Sequence, residues 1–266
     1  MLNTTANHLN TIGNFCGMRD IPFLTGKCLQ DTFHIPQADI MVLFGGSILA
    51  GGDVLADAMK NRIAKKYIIV GGAGHTTDAL RKLMQPFLPG LDTSSACEAE
   101  LFAAYIKYRY HLEPDLLECH STNCGNNITY LLELLKKHHI PHKSIILTQD
   151  ATMQRRMDAG FRKYVSPDTL LINYAAYHAE VVADYDRLTF ASPIHGMWNM
   201  ERYIALLMGE IPRLLDTENG YGPNGTDYIA HVDIPKEVLE AFGALRQDYA
   251  SLIREANPLY ASVPQT

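Results

Sequence analysis

From Asp39 onward, short apolar runs alternate with stretches of helical periodicity, the pattern of βαβ units that assemble a parallel sheet. Five runs have strand length: 39–44, 66–70, 116–119, 144–148 and 170–173. Between them, apolar positions at helical spacing predict crossover helices over 53–64, 95–110, 126–138 and 152–163. Ser95-Ala96-Cys97-Glu98 has the spacing of a capping box and puts the start of the second of these helices at Ser95.

The flanks read differently. Leu9, Ile12, Phe15, Ile21 and Phe23 recur at loose helical spacing, as expected of helices that pack on a core supplied by the rest of the chain. After 173 the alternation stops. Residues 174–194 read as a long connection, 198–207 as a helix, 216–225 as a turn-rich segment and 235–256 as a last helix. The expected fold is therefore α/β, a Rossmann-like parallel sheet of about five strands with flanking helices. Its predicted span is 36–195, and 1–35 with 196–266 form a smaller, mainly helical subdomain.

Charge narrows the partners. The 266-residue chain has a formal net charge of -6, and its Lys and Arg residues are scattered rather than striped, so it has no electrostatic footprint for nucleic acid. The start, MLNTTANHLN, has neither a basic region nor an apolar one, and the longest apolar runs are far below the roughly 18 residues of a membrane span. No membrane anchor and a cytoplasmic location are the expectations. Five cysteines, Cys16, Cys28, Cys97, Cys119 and Cys124, form no CxxC and no scaffold spacing, which predicts free thiols in a reducing compartment.

Ligands of an open parallel sheet bind outside the carboxyl ends of the strands. Those positions are rich in glycine and small polar residues: Gly45-Gly46-Ser47, Gly71-Gly72-Ala73-Gly74-His75-Thr76, Ser121 to Asn127 with Asn123 and Asn126, and Gln149-Asp150. Glycine lets a ligand approach the backbone, and the following helix starts favour anions. The alternative is that each glycine serves only a tight turn.

Known fingerprints fit poorly. Gly72-Ala73-Gly74 opens like GxGxxG, but Thr77 stands at the third glycine, and no acidic residue follows the second strand to hold a ribose. Asp53, Asp78, Glu98, Glu100 and Asp150 are the carboxylates that could replace it. No Walker motif and no GxSxG elbow occur. Cys124, just before a helix, lacks the arginine of a thiol phosphatase loop. His138, His139 and His142 read as a solvated helix end. His75 and Asp150 are the candidate acid or base groups. Arg155 and Arg156 occupy the first turns of a helix, where a cation needs an acidic partner or an anionic ligand.

The segments STNCGNN (121–127), QDATMQRR (149–156), ERYIALLMGEIPRLLD (201–216) and GYGPNGTDYIAHVDIP (220–235) together resemble the bacterial SanA, ElyC and YdcF domain family. The likeness runs over nearly the whole chain and is weakest in the first thirty residues and in 167–186. The resemblance implies a Rossmann-like domain that binds S-adenosylmethionine with no assigned reaction. By motif, Gly45 to Ser47, Gly71 to Thr77, Glu98, Asn123, Asn126, Gln149, Asp150 and Arg155 would line its pocket.

Three functions follow as expectations. The first is binding of S-adenosylmethionine or another nucleotide-like small molecule, with methyl transfer to an unidentified acceptor. The second is a hydrolase or transferase acting on phosphorylated or nucleotide-sugar substrates. The third is a non-catalytic ligand sensor, with the end helices and the loop at Asn219 to Gly222 serving as a lid or as a homodimer interface.

Overall fold

The computed structural model describes residues 2–74 and 77–253. Its core is a five-stranded, all-parallel sheet of β1 (Ala38–Phe44), β2 (Ala64–Val70), β3 (Leu116–Glu118), β4 (Ser144–Thr148) and β5 (Leu170–Asn173), in the order β3-β2-β1-β4-β5. Alternate residues of each strand face opposite layers, so both faces must be apolar. Met41, Leu43, Ile69, Ile146 and Ile172 join one hydrophobic cluster, while Ile40, Val42, Phe44, Ile68, Val70, Ile145 and Leu147 join another.

Helices cover each face. On the first lie α2 (Gly26–Phe33), α3 (Leu49–Lys60), α4 (Thr77–Met84) and α5 (Glu98–Tyr110), and on the second α6 (Cys124–Lys137) and α7 (Gln154–Tyr164). A third cluster joins α1 (Leu2–Cys16), α8 (Met200–Leu214) and α9 (Lys236–Tyr249) with Ile48, Ala151 and Ala159 of the central domain. No helix among the described residues is long and apolar enough to cross a membrane.

Several boundaries depart from the sequence reading, each for a tertiary reason. Helix α3 begins at Leu49 rather than 53, because Gly51 and Gly52 lie inside it where Ser47 and Tyr105 leave no room for a side chain. Helix α5 begins at Glu98, with Cys97 as its cap. Its first amides dock on the sheet edge, Glu98 N–H donating to Gly72 O and Ala99 N–H to Gly71 O. The capping box is therefore Cys97 with Glu100, two residues beyond the expected one. Within 174–194 lies an antiparallel hairpin, β6 (Val181–Asp184) and β7 (Arg187–Phe190), which turns at Tyr185 with φ 54°. Helix α8 runs on through Pro212 to Leu214, and α9 ends at Tyr249. The remainder of the 235–256 segment beyond 253 lies outside the described residues.

Candidate functional site

The chain builds β1, β2 and β3 outward in one direction, then crosses back to lay β4 on the other side of β1. The crevice of such a sheet opens between β1 and β4, at their carboxyl ends. There Gln149 bridges the two strands. Its Nε2 donates to Gly45 O at 3.2 Å, its Oε1 accepts from Asp150 N–H at 2.6 Å, and its own N–H donates to Gln154 Oε1 at 2.8 Å. Gly46 turns the chain with φ 77°.

Two hydroxyls stand out at this edge. Ser47 Oγ and Thr148 Oγ1 are buried without a hydrogen-bond partner among the described residues. Thr148 is the register partner of Leu43, and a side chain on Gly51 would meet both Ser47 Oγ and Leu43 Cδ1, so the two hydroxyls lie over the same end of β1. An unmade hydrogen bond of this kind costs about 1–3 kcal/mol.

Glu98 lies beside them. It is buried, its Oε1 accepts from Thr77 Oγ1 at 2.9 Å, and its side chain covers Gly45 and Gly71 so closely that a Cβ on Gly45 would stand 2.2 Å from Oε2. Gly71 is equally tight against Gly45, and Gly72 lies against the backbone of Ser121 and accepts no side chain. These three glycines are thus required by packing inside the protein. Ser121 Oγ accepts from Gly72 N–H, Gly74 N–H donates to Thr77 Oγ1 at 2.7 Å, and His75 and Thr76 lie outside the described residues.

Asn123 is the cap of α6. Its Oδ1 accepts from Asn126 N–H at 2.9 Å, and its Nδ2 donates to Asn126 Oδ1 at 2.8 Å. Asp150 is 1% exposed. Its Oδ1 accepts from Thr152 N–H, Thr152 Oγ1 and Tyr177 OH, and its Oδ2 accepts from Trp198 Nε1 at 2.8 Å. Burial pushes its carboxyl pKa up, against the opposing effect of these donors.

Arg155 is elsewhere. It stacks on the Phe15 ring at 4.0 Å, donates through Nε to Phe15 O and lines an open cleft of about 650 Å³ with Asn14, Gly17, Met18, Arg19, Asp20 and His178. None of the glycine loops lines that cleft. Arg156 has the acidic partner its helix position called for, a bidentate pair with Glu210.

A second constellation was not assembled by sequence reasoning. His195 Nδ1 meets Asp53 Oδ2 at 2.6 Å, while Tyr105 OH and Tyr110 OH donate to Asp53 Oδ1 at 2.5 and 2.6 Å. The His195 ring packs edge-on against Phe87, and its carbonyl accepts from Ala50 N–H at the start of α3. The carboxylate and burial both raise the Tyr105 phenol pKa, burial most. Asp53 stood among the ribose candidates, but His195 lies 142 residues away, between the predicted connection 174–194 and the predicted helix 198–207, and only the fold joins them.

Searched against protein-family models, the chain matches none.

Proposed function

We propose that this protein binds a nucleotide-type small molecule at the carboxyl edge of its sheet, with S-adenosylmethionine first among such ligands. The observation that carries this reading is the pair of buried, unpartnered hydroxyls of Ser47 and Thr148 at the β1/β4 crossing, the place where open α/β sheets take their ligands. The neighbouring groups fit such a ligand. Ser47 and Thr148 can each donate and accept, and Glu98 supplies a carboxylate beside the ends of β1 and β2, where a ribose-binding acid is otherwise missing. The resemblance to the SanA, ElyC and YdcF family supports the same ligand. Bound there, it would supply a methyl group for an acceptor not yet identified.

Calorimetric titration with S-adenosylmethionine, against S-adenosylhomocysteine, ATP and NAD, tests the reading. Selective binding at tens of micromolar, lost in Ser47→Val and Glu98→Ala, supports it. Equal binding of all four, or of none, sinks it.

The Asp53–His195 pair favours a second reading, a hydrolase or transferase of phosphorylated substrates. A carboxylate that orients an imidazole prepares its other nitrogen to move a proton. Turnover of phosphate esters lost in both Asp53→Asn and His195→Gln would favour it, and binding without turnover would favour a sensor. A cytoplasmic location and a homodimer belong to the same proposal and are checked by fractionation and by light scattering.

A further inference from the structure

We infer that the end of β3 and the first turn of α5 form a site for a thiophilic divalent cation, zinc above all, with Cys97, Cys119 and Glu100 as its ligands. This site is independent of the nucleotide reading.

The sulfurs of Cys97 and Cys119 and a carboxylate oxygen of Glu100 lie within 4.8 Å of one another. A tetrahedral zinc, with bonds of about 2.3 Å to sulfur and about 2.1 Å to oxygen, holds its ligands about 3.6–3.8 Å apart, so closure requires movements of about 1 Å. Side chains can supply that without moving the backbone.

The ligands are already held. Cys97 caps α5, its sulfur accepting from Glu100 N–H at 3.4 Å while its own N–H donates to Glu100 Oε2 at 2.8 Å. Cys119 follows directly on β3, whose Glu118 is in register with Val70 of β2. The two sulfurs face each other across the junction of β3 and α5, within the same 4.8 Å.

Charge favours a cation as well. The carboxylates acting on the pair are those of Glu100 and Glu118, while the neighbouring Arg81 guanidinium is bonded to Ala96 O and Asp78. Two bare thiolates in this half-buried acidic corner would be costly, and a divalent ion neutralises them. Binding forms two metal–sulfur bonds and releases two thiol protons to water. Thiolate ligands select zinc over magnesium or calcium, and three protein ligands leave a fourth position open, as in zinc sites that bind water or substrate.

Cobalt(II), titrated into the reduced full-length protein under argon, is the probe. The expected result is one equivalent bound with sulfur-to-cobalt charge-transfer absorption in the near ultraviolet, loss of two reactive thiols per chain, and displacement by zinc. Cys119→Ser and Cys97→Ser abolish the absorption. Serine is itself a favoured helix cap, so Cys97→Ser keeps the start of α5, checked by an unchanged thermal midpoint. Glu100→Gln keeps the capping box and lowers zinc affinity by at least about tenfold, and Cys28→Ser leaves binding intact. Absence of the band, a band that survives Cys119→Ser, or a Cys97–Cys119 pair that forms a disulfide in air and takes up no metal when reduced overturns the inference.

Discussion

Arg156 and Glu210 meet in a bidentate ion pair, Nε to Oε2 at 2.6 Å and Nη2 to Oε1 at 2.9 Å, that ties α7 of the central domain to α8 of the terminal helices. Both side chains are largely buried, at 12% and 4% exposure, so removing one leaves the other charge without water or partner. Glu210→Ala is expected to destabilise the protein by about 3–5 kcal/mol, read as a lower denaturant midpoint. An equal loss in Arg156→Ala and a double variant better than the sum of the singles would identify the pair as the cause.

Asp150 makes a comparable joint with hydrogen bonds. Asp150→Ala leaves Tyr177 OH and Trp198 Nε1 without their acceptor, which should cost about 2–5 kcal/mol. The sole tryptophan of the chain reports it directly. Its emission should shift to the red in the variant as the indole loosens, and unchanged emission would mean that the contact is dispensable.

The glycines separate into two kinds that substitution can tell apart. At Gly45 a methyl group would collide with Glu98 and stand 3.1 Å from the Gly71 Cα, so Gly45→Ala should destabilise by about 1–3 kcal/mol. At Gly243, within α9, nothing lies within 4 Å of the same methyl, and Gly243→Ala should stabilise by about 0.5–1 kcal/mol. Thermal midpoints that move in the same direction for both would refute this account.

The loop between α8 and α9 has a pH dependence of known sign. The hydrogen bond to Asp216 Oδ2 at 2.6 Å, with a further one to Asp233, raises the His231 pKa. An imidazole pKa raised by folding contributes stability that is complete below its unfolded value of about 6.5 and fades as pH rises through the folded value. The loop should accordingly be tighter at mildly acidic pH than in mild alkali. An imidazole titration followed by NMR checks this, with Asp216→Asn expected to bring His231 back down.

Much of the sheet was legible because its strands are buried on both faces and so read as unbroken apolar runs. The predicted 144–148 and 170–173 coincide with β4 and β5, and 39–44 falls one residue short of β1. The hairpin was not legible, since Tyr185 and Asp186 at its tip lack the glycine or asparagine that marks a tight turn. Helix α4 lies beyond the glycine loop, in a stretch before 95 for which the apolar pattern predicted no element. The loops after β1, β2, β3 and β4 do converge on one edge, but the sequence could not say that Gly45, Gly71 and Gly72 lie tight against Glu98 and Ser121. The Asp53–His195 contact was out of reach for a plainer reason, because nothing local to either residue points to the other.

Helix α1 precedes every other described element, yet it packs on α9, α8 and β6, and Asn10 is bonded at both ends of its amide to the backbone of Val181. During synthesis its apolar stripe of Leu9, Ile12 and Phe15 therefore stays partly uncovered until α9 has left the ribosome. The central sheet can form behind it as it emerges, but the third core cluster closes only when α1 meets α9. A nascent chain stalled before α9 would thus be a folded sheet trailing a sticky helix, the kind of intermediate that chaperones hold.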